Sequence, residues 1–399
     1  MLTKTAIEPV IPTQKLRPLE DLACTLVERS ARLSAKLREP LRIQLAELTR
    51  WVHCYYSNLI EGQQTRVRDI EAALKKDFAT EPKKRDLQQL SLAHLEVQRW
   101  AAAETGSPFA PDFIRELHRR FYAQLPEVMR VATTSKGEKT PLTGGELRDR
   151  DGEVGTHVGP PHELVPALLS HFQWRYESVD FSRIQRIIAI GASHHRLAWI
   201  HPFRDGNGRV VRLFSDTVIR HLGIDGGGLW SLSRGFARNR TEYYERLSNA
   251  DQERSRSSAD DGRGHLSERA LWDFCEFTLR VMADQIAFME QLLDLDGLER
   301  RIEHYVRVVD TQVAPEADRV FLLLREALLR GEYPRGEAAR IVGASDRTGR
   351  SALTLAIEAG LLVSDTPKAP VRLGLPAKVH ETYFPQLFPL NQVTGTTEP

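Results

Sequence analysis

From Phe181 to Gly223 the sequence is two stretches that are apolar nearly all round, FSRIQRIIAIGASHHRLAWI and VVRLFSDTVIRHLG, separated by the polar string HPFRDGNGR. A helix without a polar face has to be buried. The pair therefore predicts two central helices, 181–200 and 210–223, with Gly223 stopping the second. The rest of the chain has to pack around them, and its own pattern is also helical. Leu22, Leu26, Leu33, Leu37, Leu41, Leu45 and Leu48 recur at three- or four-residue steps, which predicts helix from Pro18 to Thr65. Further helical segments are expected at 67–76, 84–105 and 110–124. The fold class is mainly α.

The polar string raises a chemical question. Gly206 and Gly208 permit φ > 0 and carry no Cβ, so successive backbone N–H groups can point into one concavity. The helix behind adds its unsatisfied first-turn donors and its positive end. Together Gly206, Asn207 and Gly208 make an anion site suited to phosphates, and Arg209 can bind an outer phosphate as a fork. Asp205 is out of place in a pure anion cradle, but it makes sense if Mg²⁺ sits between carboxylate and phosphate oxygens. His201, at the end of a buried helix, is placed to accept a proton from an incoming hydroxyl. Phe203 faces the core and holds the turn. The bland reading is a helix–loop–helix corner in which Asp205, Gly206 and Asn207 only turn the chain.

Between the N-terminal helices and the central pair the character changes. Residues 133–161, rich in Gly, Thr and charge, read as a loop plus a short β-hairpin, closed by Pro160-Pro161. Residues 1–17 read as an irregular surface arm, and 251–269 as a solvated loop. The last section runs helix (ADRVFLLLREALLRG), short helix (RGEAARIVG), tight turn (ASD), helix (RTGRSALTLAIEAG) and two short strands, the order of a winged helix-turn-helix. Lys and Arg total 55 against 54 acidic residues, which excludes a uniformly basic nucleic-acid coat but not a local patch. Cys24, Cys54 and Cys275 lie far apart without metal spacing. Free thiols suit a reducing compartment, so a cytoplasmic location without a membrane span is expected. His194 and His195 lack a carboxylate at a zinc spacing, and His194 reads as a core histidine.

The string HPFRDGNGR resembles the signature of the Fic family (filamentation induced by cAMP), HPFx[D/E]GN[G/K]R, at every defined position. The resemblance covers about 50–300. It implies a helical bundle with a β-hairpin flap at 145–158 that pairs with target backbone. Flap residues Val154, Gly155, Thr156 and His157 then fall to the nucleotide site. Tyr244 and Asp251 lie close to the base, with Tyr243 in the core. The implied reaction transfers AMP from ATP to a protein Ser, Thr or Tyr hydroxyl. His201 acts as base, Asp205 holds Mg²⁺, and Arg209 orients the β- and γ-phosphates. The expected domains are 1–130, with an inhibitory helix at about 50–65, the catalytic core 131–300, and the winged helix 315–385.

The family's inhibitory helix reads [S/T]xxxE[G/N], and here Ser57, Glu61 and Gly62 fit it. A carboxylate beside the negative end of a helix dipole calls for an external cation. The resemblance names it: Arg212, with Glu61 in the space of the γ-phosphate. De-adenylylation or another phosphate-group transfer at the same site remains open, as does a regulator whose winged helix is the working part. Near the turn of that module Arg335, Arg340, Arg347 and Arg350 face Glu337 and Asp346, an excess that permits contact with DNA phosphates. Protein docking fits equally. The resemblance also admits a homodimer and modification of the chain itself.

Overall fold

The computed structural model describes residues 2–133, 139–151, 153–154, 157–178, 180–254 and 265–389. In chain order the first helices are α1 (Arg17–Ala35), α2 (Glu39–Ile60), α3 (Val67–Leu74), α4 (Pro82–Ala103) and α5 (Pro111–Ala123). Two antiparallel strand pairs follow, β1 (Val131–Thr133) with β2 (Lys139–Pro141), and β3 (Glu153–Val154) with β4 (His157–Val158). Then come α6 (Val165–Tyr176), α7 (Arg183–Ile200), α8 (Asn207–His221), α9 (Leu232–Arg238), α10 (Arg240–Ala250) and α11 (Glu268–Leu292). The last part holds α12 (Leu295–His304), α13 (Ala317–Arg330), β5 (Glu332–Tyr333), α14 (Ala338–Val342), α15 (Asp346–Glu358), β6 (Leu362–Val363) and β7 (Val371–Leu373). The chain is mainly α, and no described helix is long and apolar enough to cross a membrane.

The chain forms two compact units, 1–31 with 53–286, and 32–52 with 287–399. In the first, α7 and α8 pack on each other as the buried centre. A capping box starts α7: the Ser182 hydroxyl accepts from Gln185 N–H while the Gln185 side chain accepts from Ser182 N–H. Ile187, Ile188, Ile190, Leu197 and Ile200 are wholly buried along it. Burying each such side chain contributes roughly 1.5–3 kcal/mol, so this helix is fixed before any polar contact is counted. In the second unit, α13, α14 and α15 come with a three-stranded antiparallel sheet in the order β5-β7-β6, of which β5 lies between α13 and α14 and the other two strands follow α15. The first half of α2 belongs to this unit, where Gln44 Nε2 donates to the Leu373 carbonyl at 2.7 Å.

Several local expectations change. The helical run over 18–65 breaks between α1 and α2 because Pro40 lacks an N–H and is tolerated only in a first turn. The second central helix starts at Asn207, three residues early, because Gly206 at φ 78° ends the loop. The N-terminal arm is only partly on the surface, with residues 3–5 and 13–15 exposed and its middle buried. Ile7 and Val10 are buried, and the guanidinium of the fully buried Arg196 donates to the Pro9 carbonyl at 3.1 and 2.9 Å. The β1–β2 pair and strand β5 were not expected. Most of the charged loop, 255–264, lies outside the described residues.

Candidate active site

The turn between α7 and α8 is built from its own residues. His201 ends α7 in the left-handed region, φ 48°. Asn207 closes the loop with its amide: Oδ1 accepts from Phe203 N–H at 2.9 Å and Nδ2 donates to the Phe203 carbonyl at 2.8 Å. Phe203 is fully buried and stacks on His118 of α5, centroids 3.9 Å apart. Burial lowers the His118 pKa to about 4. That neutral ring accepts from Gly145 N–H on Nδ1 at 2.8 Å and donates from Nε2 to the Asp205 carbonyl at 3.1 Å. A Cβ on Gly206 would sit 2.8 Å from the Tyr122 ring, at a φ that side chains avoid. The turn is therefore wedged between α5 and the start of α8.

Asn207, Gly208 and Arg209 occupy the first turn of α8, where helical N–H groups lack intrahelical partners. Gly206 N–H is spent differently, donating to Asp205 Oδ1 at 2.7 Å. The other carboxylate oxygen of Asp205 accepts from Tyr122 OH at 3.1 Å. Asp205 is exposed, and each of its oxygens keeps a free lone pair. One hard carboxylate beside a phosphate cradle fits Mg²⁺, which is commonly held by one or two carboxylates plus substrate phosphates.

A cleft of about 340 Å³ opens above this turn, lined among others by His157, His201, Gly208, Arg212, Tyr244 and Asp251. Burial, then the nearby His157 and Arg148, lower the His201 pKa to about 4, so its ring is neutral at pH 7. Its carbonyl accepts from Arg148 Nε at 2.8 Å. Arg148, 5% exposed, also reaches the Pro160 carbonyl and so ties the foot of the β3–β4 hairpin to the turn. From the hairpin, His157 donates Nδ1–H to Asp251 at 2.9 Å, and its ring centre lies 5.7 Å from that of His201. The other oxygen of Asp251 accepts from His195 Nε2 at 2.9 Å. Burial opposes the charge on Asp251, yet hydrogen bonds from His157 and His195 hold its pKa at about 2.

Over the cradle lies the end of α2. Arg212, 3% exposed, donates Nε–H to Ser57 Oγ at 3.0 Å, and its Nη2 donates to the Ser57 carbonyl at 3.0 Å and to Glu61 Oε1 at 2.5 Å. The Glu61 carboxylate sits where a Cβ on Gly208 would point. Burial raises its pKa, Arg212 and then Arg209 lower it, and the net value is below the ordinary one. Gly62, φ 75°, turns the chain out of the helix. Gln63 then accepts from Arg209 Nη2 at 2.6 Å, while Arg209 Nε is buried without a partner among the described residues.

The structure thus brings Ser57, Glu61, His157, His201, Asp205, Asn207, Gly208, Arg209, Arg212 and Tyr244 to one place, with Gly62 turning the chain beside them. Gly155 and Thr156 lie outside the described residues, and Val154 is described only as part of β3. Tyr244 is 42% exposed on the cleft wall, and Tyr243 is buried on Phe236, centroids 4.3 Å apart. His194 is a core histidine between Ser215 and Tyr243. Asp251 stands at the head of the segment read as solvated, yet it lines the cleft. Sequence reasoning missed His118, Tyr122, Arg148 and Gln63. Only the spacing of His118 and Tyr122 on one face of α5 could have drawn notice.

Comparison with known proteins agrees with this geometry. Residues 108–219 match the model of the Fic/DOC family. A protein adenylyltransferase Fic from Drosophila mojavensis is 27% identical over 172 residues, 43% of this chain and 32% of that protein. One from Aedes aegypti is 27% identical over 173 residues, 43% of this chain and 32% of that protein. The match thus spans about a third of these relatives. A Fic family protein from Desulfovibrio desulfuricans shares the fold, with a TM-score of 0.53 and 19% identity over 91% of this chain and 98% of that one. Over residues 108–219, the two central helices, the turn between them and the helices packed on it, the chain is a Fic/DOC family domain.

Proposed function

We propose that this chain is a protein adenylyltransferase that moves AMP from ATP to a Ser, Thr or Tyr hydroxyl of a protein, and that Glu61 restrains it. The observation that carries the reading is the neutral His201 on the wall of a cleft whose floor is the N-terminus of α8. The target hydroxyl gives its proton to the unprotonated ring nitrogen of His201, and its oxygen attacks the α-phosphorus. A P–O ester bond forms, the bond from the α-phosphorus to the bridging oxygen breaks, and pyrophosphate leaves with that electron pair. N–H groups of the first turn of α8 face the phosphate charge, and Arg209 takes the outer phosphates. Asp205 would hold Mg²⁺, which would supply charge neutralisation at the phosphate oxygens. Tyr244 offers its face to the base.

Glu61 opposes this arrangement with its position and its charge. Its carboxylate lies against Gly208, so an anion entering the cradle meets both occupied volume and like charge. Gln63 holds Arg209 away from that task. The test supplies Mg²⁺ and ATP labelled on the α-phosphate, with cell lysate as target, to wild type, Glu61→Gly and Glu61→Gly/His201→Ala. Label on protein with Glu61→Gly, faint with wild type and absent from the double variant, supports transferase and brake. Label arriving from the γ-phosphate instead makes the enzyme a kinase and overturns the pose.

A further inference from the structure

The second unit carries a surface that the cleft chemistry does not use. Helices α14 and α15 meet closely: a Cβ on Gly349 would lie 2.5 Å from the backbone of Ala339. Gly349, Ala352, Leu353 and Ala356 are buried, which fixes how α15 presents its other side. That side is a stripe of Arg347, Ser351, Thr354 and Glu358, all exposed, at the i, i+4, i+7, i+11 spacing of one helix face. Arg350 flanks it. The stripe has no aromatic and no large aliphatic residue, which are the anchors of protein docking sites.

The cations divide by partner. Arg319, Arg325, Arg330, Arg340 and Arg372 each hold an acid within 4.0 Å, and Arg350 approaches Asp346 at 3.9 Å. Between Ala317 and Leu373, Arg335, Arg347 and Lys368 have no ion pair among the described residues. These three are not scattered. Arg335 opens the turn that leads into α14, Arg347 is the second residue of α15, and Lys368 stands in the connection between β6 and β7. A helix that enters the major groove needs phosphate contacts from the helix before it and from the loop beside it, and reads bases from its N-terminal residues.

We propose that α15 is a recognition helix for duplex DNA, with Arg347, Ser351 and Thr354 at the base edges and Arg335 and Lys368 on phosphates. Arginine is the commonest reader of guanine, and Ser and Thr hydroxyls serve any base. Two neutralised phosphates give a slope of log K against log salt near −1.8, a loss of about 12-fold between 50 and 200 mM. The surface belongs to the second unit and the cleft to the first, so His201→Ala leaves the surface intact and Arg347→Ala leaves labelling intact.

The test selects from a random pool of about 20-bp duplexes with the full chain, then titrates the enriched duplex by fluorescence anisotropy at both salt levels. Enrichment of a sequence is expected. Arg347→Ala, checked for folding by its thermal transition, then costs about 5- to 150-fold on the enriched duplex and little on a scrambled one. Arg335→Ala and Lys368→Ala weaken both duplexes alike and lower the slope by about one each. Failure to enrich any duplex overturns the proposal, as does binding that Arg347→Ala leaves unchanged. A protein crosslinked through position 347, with no duplex bound, also overturns it and assigns the stripe to a protein partner.

Discussion

Replacing Glu61 by Gly removes a carboxylate that is ion-paired with Arg212 and seated against Gly208. Two opposite effects follow, and their sizes can be worked out. The pair is asymmetric, with 29% of the Glu61 side chain exposed against 2% for Arg212. Arg212 also keeps both bonds to Ser57 after the change. Breaking a fully buried pair costs about 3–5 kcal/mol; with one partner wetted and the other still bonded, about 1–2 kcal/mol is expected. The thermal midpoint without nucleotide should fall by about 2–8 °C. Nucleotide binding should strengthen, because a phosphate takes over a charge-assisted hydrogen bond of about 1.5–3 kcal/mol that Glu61 now holds. A gain near 2 kcal/mol is about 30-fold in Kd. Isothermal titration with MgATP and thermal melts of both proteins check this. A fall in the midpoint with Kd unchanged within two-fold would refute the reasoning, since the carboxylate would then be a structural tie and not a competitor.

Other outcomes follow from the same geometry. Gln63→Ala releases Arg209 from its 2.6 Å bond and should tighten MgATP by about five-fold, the worth of about 1 kcal/mol; titration of this variant in the Glu61→Gly background should show a further gain. Burial depresses His201 to about 4, so the base form persists as pH falls and is lost only on passing through that value. The single-turnover rate of Glu61→Gly should hold from pH 7 down to about 5, and an acid limb near the model-peptide value of about 6.5 would show that burial does not depress His201 in the nucleotide complex. Gly206→Ala puts a Cβ 2.8 Å from the Tyr122 ring at φ 78°; it should cost about 1–3 kcal/mol, read as a lowered thermal midpoint together with weakened Mg²⁺-dependent nucleotide binding.

What could be read from the chain beforehand follows the range of the interactions. The turn from His201 to Arg209 is closed by bonds between neighbours, such as Asn207 to Phe203, so its residue types carry its shape. The two central helices were legible because α7 is apolar nearly all round, while α8 sets one polar row, Arg209, Arg212, Asp216 and Arg220, against an otherwise apolar circumference. The contact of Ser57 and Glu61 with Arg212 was legible because Ser57, Glu61 and Gly62 form a short local pattern that ends a helix, and its restraining role belongs to the proposed function. His118 and Tyr122 were not legible, since they reach Asp205 across more than eighty residues and look like ordinary core residues of α5. Gln63 carries no signal at all, because a glutamine after a helix-ending glycine is equally at home in water. Arg148 was hidden by composition, set among exposed charges, and Asp251, at the head of a charged segment, was named only through the family resemblance. The buried middle of the N-terminal arm was misread for the opposite reason: its apolar residues are too few to make a period, yet Ile7 and Val10 fill the core.

Gly208 carries a constraint on how this protein can change. The space left by its missing side chain receives the Glu61 carboxylate, and the same space is where a phosphate would approach the backbone. A mutation at 208 that evicts the carboxylate would therefore evict the nucleotide as well. On the proposed function, freedom from restraint by Glu61 cannot arise inside the turn without loss of the transfer. It has to arise on the far side of the contact, at Ser57, Glu61 or the residues after it, where a change costs the nucleotide nothing. The two halves of the contact are thus unequal under selection: one is held by two demands at once, and the other is free to drift toward an unrestrained enzyme or toward a different lock.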